Sequence, residues 1–246
     1  MLLCGEDTMK IRLFTIPNVI TCLNLVSGCL AISTAFTGNF RLAFVFVLAA
    51  AVLDFFDGFA ARMLKSYSEL GKQLDSLADV VSFGVAPSAI LLALPAMEAA
   101  GYWKYAVFIV AAFSALRLAK FNIDDRQTTE FIGLATPPNA ILISSIGFLA
   151  AKGGSLVVEW LTGNWVVVLI FAAVMSLLLV SEISMFSFKF KSFRLRDNEL
   201  RYIFVIYTIA MLAVFGLDAV PLVMVSYIVV SIMRHLGLRS REKKES

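Results

Sequence analysis

Four aspartates stand on a fixed spacing in "DFFDGFAARMLKSYSELGKQLDSLADVVSFG", which runs from Asp54 to Gly84. Asp54 and Asp57 are three residues apart and Asp75 and Asp79 are four apart, so on helices each pair shares a face. Two helices joined by a tight turn can therefore aim four carboxylates at one point. Left alone, such a cluster repels itself. Divalent cations resolve the conflict: Mg2+, Mn2+ and Ca2+ take hard oxygen ligands, and a carboxylate site with open positions suits an ion that also holds a phosphate-bearing substrate. No Cys or His competes nearby. The single histidine, His235, lies far along the chain and reads as an interfacial flank.

Smaller residues accompany the carboxylates. Gly58 and Ala61 follow Asp57, and Gly71 precedes Asp75 by one helical turn. Removing side-chain bulk at these places lets a ligand approach the backbone. Arg62 offers a planar cation to a phosphate. A metal cage, a smooth wall and a cation suit a diphosphate.

The elements that must position these groups are membrane spans. The chain has 246 residues, of which 60% are hydrophobic and 16% charged. Its mean hydropathy is +0.86. A soluble domain is far less apolar. Apolar runs of about 20 residues recur, without the short alternating strands of an outer-membrane barrel, and predict an all-α polytopic bundle. Eight spans are expected, near 18–38, 42–62, 79–97, 103–121, 137–152, 165–184, 200–216 and 219–235. They form one membrane-embedded domain over 1–236, followed by a charged tail over 237–246.

An even span count puts both termini on one side. That side collects Lys10, Arg12, Arg62, Lys65, Lys72, Arg117, Lys120, Arg126 and the basic runs at 189–201 and 234–244, whereas the opposite loops hold Arg41, Lys104 and Lys152. The positive-inside rule then sets the termini and the aspartates on the cytoplasmic side of the cell membrane. The net charge of +3 is thus a topological asymmetry, and no nucleic-acid partner is called for.

The spacing Asp54-x2-Asp57-Gly58-x2-Ala61-Arg62-x8-Gly71-x3-Asp75-x3-Asp79 matches without departure the signature of the CDP-alcohol phosphatidyltransferases. The resemblance implies that Asp54, Asp57 and Asp75 hold one or two Mg2+ or Mn2+ ions gripping the diphosphate of a CDP-linked lipid. It implies that Asp79 is the general base and also touches a metal, and that Gly58, Ala61, Arg62 and Gly71 line the CDP moiety. Asn18 resembles a further position near the nucleotide and equally suits a cap of the first helix. A homodimer is implied as well.

The acceptor alcohol is narrowed by flanking stretches. "PNVITCLNLVSG", "VVSFGVAPS", "ALRLAKFN" and "FIGLATPPNA" together resemble the membrane-embedded, class II phosphatidylserine synthases, which join CDP-diacylglycerol to L-serine. Serine is a zwitterion and asks for a cation facing its carboxylate. Arg117, Lys120 and Asn122, at the cytoplasmic end of the fourth span, are the serine-binding candidates; as plain positive-inside flanks Arg117 and Lys120 would also fit there. Ser82 and Asn139 are weaker candidates for serine, and each also suits a helix-packing or capping role. A phosphorylated acceptor, glycerol 3-phosphate or an inositol phosphate, is the nearest alternative. A divalent-cation transporter is a distant one, because its carboxylates would be spread across the membrane's depth.

The remaining features carry less. Cys4, Cys22 and Cys29 show no CxxC spacing, so neither a disulfide framework nor a zinc site is expected. "MLLCGEDTMK" is not read as a cleaved signal, and Met9 offers an alternative start. "MKIRLFTI" suits a short interfacial helix or a basic flank. The loop from Lys189 to Arg201 is a topological anchor or a holder of anionic membrane lipids. The end, "RSREKKES", is expected to be disordered.

Overall fold

The computed structural model describes residues 13–124, 131–153, 155–185 and 198–245. In chain order these form α1 (Ile16–Phe36), α2 (Phe40–Met63), α3 (Glu69–Asp79), a π-helical turn (Val80–Val85), α4 (Ala86–Leu92) and a 3-10 segment (Pro95–Phe108). Then come α5 (Ile109–Ile123), β1 (Phe131–Ile132), α6 (Thr136–Lys152), α7 (Leu156–Thr162), α8 (Trp165–Val180) and β2 (Ser184–Met185). The chain ends in α9 (Glu199–Phe215), a 3-10 turn (Gly216–Ala219) and α10 (Val220–Glu245). The architecture is all-α. Its one β feature among the described residues is an antiparallel clip pairing Phe131 with Met185 and Ile132 with Ser184.

Local chemistry starts the helices that matter for the site. The Thr15 hydroxyl accepts from the Asn18 N–H at 3.4 Å, and Pro17 sits in the first turn of α1. Asn39 caps α2 through the Leu42 N–H at 3.1 Å. The Ser68 hydroxyl accepts from the Gly71 N–H at 3.0 Å, and Glu69 adds an acidic group to the first turn of α3. Between α2 and α3, Lys65 takes a left-handed φ of 49° and reverses the chain.

Around an apolar core, many polar side chains lie inside and many large apolar ones outside. Asn24, Ser82, Ser88, Ser114, Asn139, Ser144 and Ser176 are fully buried, whereas Phe55, Leu177 and Ile206 are more than half exposed. Water would drive the reverse arrangement; a lipid surround allows this one. By length and composition five helical stretches can cross a membrane, or six if α6 and α7 form one bent span. The last stretch, 199–237, counts once on that basis. Even so, Gly216 breaks it at φ 58° and α9 folds back on α10, with the Phe204 and Tyr227 rings 6.2 Å apart and the Tyr207 and Ser226 hydroxyls at 3.1 Å. The chain is a multi-pass membrane protein.

Two expectations change. The third span, expected to start at Asp79, belongs to a helix that begins at Glu69 and continues through the π-helical turn to Leu92. Hydropathy excludes the polar run "ELGKQLD", yet its cap and amphipathic pattern make it helical. The end of the chain, expected to be disordered, extends α10 to Glu245. Propagating an existing helix costs far less than nucleating one, and Arg, Glu and Lys are good helix formers. Cys4, the interfacial reading of 9–12 and most of the basic loop, 189–197, lie outside the described residues.

Glycines let the helices close on one another. A Cβ on Gly28 of α1 would lie 2.4 Å from Ser82 Oγ and 2.7 Å from Ser82 Cα. One on Gly84 would meet Ser114 of α5 at 3.1 Å, and one on Gly147 of α6 would meet Ile90 of α4 at 2.6 Å. Because the Gly28 clash involves backbone, Gly28→Ala is expected to destabilise the protein by about 1–3 kcal/mol. Melting in detergent checks this: Gly28→Ala should lower Tm, while Gly237→Ala, with open space around it, should leave Tm unchanged or slightly raised.

Candidate active site

α2, the reversal at Lys65 and α3 bring the carboxylates together. Asp54, Asp57 and Asp75 each offer an oxygen within 4.8 Å of the other two. The Asp54 and Asp75 side chains come within hydrogen-bonding reach of each other, and Asp75 Oδ1 is buried without a partner. Two carboxylates in direct contact call for a proton or a cation between them. An all-oxygen donor set with one buried, unmet oxygen fits a hard divalent ion.

Asp79 is placed differently. It lies outside that group, although Asp54 and Asp75 are close enough to act on its charge. It is 6% exposed, and Asn24 Nδ2 donates to its Oδ1 at 3.2 Å. Asp57, also buried, accepts from Thr21 Oγ1 at 2.7 Å. Thus α1 holds two of the four aspartates from one face, through neutral side chains three residues apart. Neither Thr21 nor Asn24 was singled out by sequence reasoning. The signal was present: Asn18, Thr21 and Asn24 recur every three residues in an otherwise apolar span.

Beside the carboxylates opens a cleft of about 1120 Å³ lined by Asn18, Asp57, Gly58, Ala61, Gly71 and Asp75, among others. A Cβ on Gly71 would sit 3.1 Å from Ser68 Oγ and 3.2 Å from Asn18 Oδ1, whereas Gly58 has nothing nearer than the Arg62 guanidinium at 4.0 Å. One glycine thus allows a close helix approach and the other leaves the wall open. Asn18 does not cap α1, because Thr15 does; its Nδ2 donates to Leu13 O at 2.9 Å. Arg62 folds back along its own helix, Nε donating to Gly58 O at 3.0 Å.

The three residues considered for serine part company. Lys120 pairs with Glu182 at 2.5 Å. Asn122 donates to Ser76 Oγ at 2.8 Å, and its carbonyl accepts from Lys72 Nζ at 3.1 Å. Arg117 is 4% exposed, its guanidinium lies 5.2 Å from the Phe121 ring centre, and its Nε has no hydrogen-bond partner. Ser82 packs as expected, donating to Asn24 O at 3.0 Å. Asn139 is likewise buried within α6 but caps nothing, and both its amide atoms are unmet. His235 does more than flank, since its Nδ1 accepts from the Ser184 N–H at 3.2 Å and ties α10 to the clip. Cys22 and Cys29 are free and exposed on α1.

Residues 14–187, which contain the four aspartates, the cleft and Arg117, match the family model described as CDP-alcohol phosphatidyltransferase. The chain belongs to that family. Among curated relatives of this family member, a Bacillus subtilis protein named CDP-diacylglycerol–serine O-phosphatidyltransferase is 36% identical over 176 residues, covering 71% of this chain and 91% of its own. A Helicobacter pylori protein of the same name is 32% identical over 231 residues, covering 92% and 93%. A third, from Mycobacterium tuberculosis, is 30% identical over 255 residues, covering 95% and 81%. The similarity to the Helicobacter pylori protein therefore reaches past the family segment into the last two helices.

Proposed function

We propose that this family member is a phosphatidylserine synthase, transferring the phosphatidyl group of CDP-diacylglycerol to the hydroxyl of L-serine and releasing CMP. The observation that carries the reading is the gathering of Asp54, Asp57 and Asp75 beside a cleft walled by Gly58, Ala61 and Gly71. The choice of serine draws on similarity, over nearly both whole chains, to a relative named for that acceptor.

Asp54, Asp57 and Asp75 would hold one or two divalent ions, Mg2+ or Mn2+, whose charge neutralises the diphosphate oxygens as negative charge builds on the leaving group. The residues of the chain do the rest. Gly58, Ala61 and Gly71 admit the CDP head, with Asn18 at the wall and Arg62 able to swing from Gly58 O to a phosphate. Asp79, held by Asn24, takes the proton of the serine hydroxyl as that oxygen bonds to the phosphatidyl phosphorus and the bond to CMP breaks. Both reactants sharing one site supplies orientation. The donor's acyl chains stay in the bilayer, alongside the exposed aromatic face Phe55, Phe56 and Phe59 of α2.

The same proposal includes eight crossings within one domain, 1–236, both termini and the aspartates on the cytoplasmic side of the cell membrane, and the homodimer the family resemblance implies. The α9–α10 reversal at Gly216 supports counting that stretch as two crossings. Arg117, buried and with an unmet Nε, is the best placed of the three candidates to face serine's carboxylate.

Purified protein in lipid–detergent micelles with CDP-diacylglycerol and Mg2+ or Mn2+ tests the reading, with L-serine, glycerol 3-phosphate or inositol 1-phosphate offered separately. Serine-dependent CMP with phosphatidylserine is expected. Product with another acceptor alone would discard serine and keep the family chemistry.

A further inference from the structure

Most buried serines among the described residues satisfy themselves. Ser88, Ser144, Ser176 and Ser231 donate to the carbonyl one turn back at 2.7–2.8 Å. Ser114 breaks the pattern: it is fully buried on α5 and its Oγ has no partner. Arg117, three residues on and so on the same face, leaves Nε unmet. Asn139 on α6, fully buried, leaves both Oδ1 and Nδ2 unmet, and Asn24 leaves Oδ1 unmet. Among the described residues seven buried side-chain atoms lack partners; two, on Ser66 and Asp75, border the cleft, and the other five are these.

All five lie on α1, α5 and α6, which pack against the segment just after Asp79. Ser114 lies against Gly84, and Asn24 reaches both Asp79 and, through its carbonyl, Ser82. α6 begins at the same end of the bundle, because the Gly133 N–H donates to Ile183 O beside Glu182, the partner of Lys120. It then runs alongside α4 until Gly147 meets Ile90. Eight residues back from that contact, Asn139 is level with Val81 and Ser82. Buried polar groups left unmet in the protein alone are groups a ligand is built to meet.

Their chemistry names the ligand's class. Arg117 Nε and Asn139 Nδ2 donate, Asn139 Oδ1 and Asn24 Oδ1 accept, and Ser114 does either. Arg117 is the one buried cation among the described residues, and Asp124 acts on it electrostatically from the helix end. One partly offset cation suits a monoanion better than a phosphate dianion, and the acceptors beside it suit an ammonium. We infer that Asn139, with Ser114 and Asn24, forms with Arg117 the chamber that reads the acceptor's zwitterion. Carboxylate lies on Arg117 and Asn139 Nδ2, ammonium on the two asparagine oxygens, and the hydroxyl is directed toward Asp79. This rests on the serine reading above and centres its specificity on Asn139, a weaker candidate from the sequence, with Ser114 and Asn24 added by their unmet atoms.

Asn139→Leu in the full-length enzyme tests it. The expected result is a rise of at least tenfold in KM for serine, with KM for CDP-diacylglycerol within twofold of wild type. Tm should be unchanged or higher without serine, and the serine-induced rise in Tm should be lost. A structural asparagine would instead lower Tm and move both KM values together, and one holding only water would leave KM for serine unchanged; either result overturns the inference. Ser114→Ala, which loses a single hydroxyl, is the second variant: KM for serine should rise about threefold, and no change would count against the chamber. Wild type that makes no phosphatidylserine would remove the serine reading and the chamber with it, whereas active wild type with unaltered variants would remove the chamber alone.

Discussion

Replacing Asp79 by asparagine is expected to cut serine-dependent CMP release by about 10²–10⁴-fold, the usual range for a lost general base, while CDP-diacylglycerol still binds. Asparagine keeps the shape of the side chain, and the Asn24 amide at 3.2 Å can turn to meet it, so the fold should persist. Asp79 stands apart from the three clustered carboxylates, so the variant should also keep the response of Tm to divalent ion. The measurement is kcat for serine together with KM for the donor. Near-normal turnover in Asp79→Asn would sink the assignment of Asp79 as base.

A comparably large loss is expected for Asp75→Ala, with a different signature. Asp54 and Asp75 face each other directly, so the cluster without cation must take up a proton or bear like-charge repulsion. An ion that binds only the folded state stabilises it, by about 2.7 kcal/mol at a hundred times its dissociation constant. Wild-type protein should therefore melt at higher temperature as Mg2+ or Mn2+ is added. Asp75→Ala should remove that rise and, in chelator, should melt no lower than wild type, since one repelling charge is gone. Turnover should fall by about 10²–10³-fold, the scale on which electrostatic stabilisation of a developing charge acts. A variant whose Tm climbs with metal as steeply as wild type would place the ion elsewhere.

What could be read in advance was whatever stood out against oil. Four carboxylates and three small residues on helical spacing are conspicuous in apolar spans, because each charge there needs a reason. Neutral polar residues are less conspicuous: Thr21 and Asn24 look like ordinary span residues until α1 is laid against α2 and α3. Asn139 was legible only as a weaker serine candidate among packing and capping roles, and it is its burial away from the α6 cap, with both amide atoms unmet, that sets the capping role aside. Arg117 and Lys120 were equivalent by type and depth, and the residue that separates them, Glu182, lies 62 positions from Lys120. The start of α3 was missed because hydropathy marks where lipid begins, whereas a helix begins where its first N–H groups are capped.

The π-helical turn that follows Asp79 has a consequence for which changes the chain can bear. Bonding from residue i to i+5, as between Val81 O and the Ala86 N–H, takes in about one residue more per turn than an α-helix. Everything beyond it is therefore rotated by roughly 100° relative to an uninterrupted helix. A single-residue deletion between 80 and 85 would leave composition, hydropathy and all four aspartates intact. It would also let an uninterrupted α-helix present α4, with Ile90 at its α6 contact, on the face it now shows, whereas inserting one residue would turn the whole of α4 away from that face. Substitution in this segment is judged side chain by side chain, but insertion or deletion is judged by the bundle as a whole.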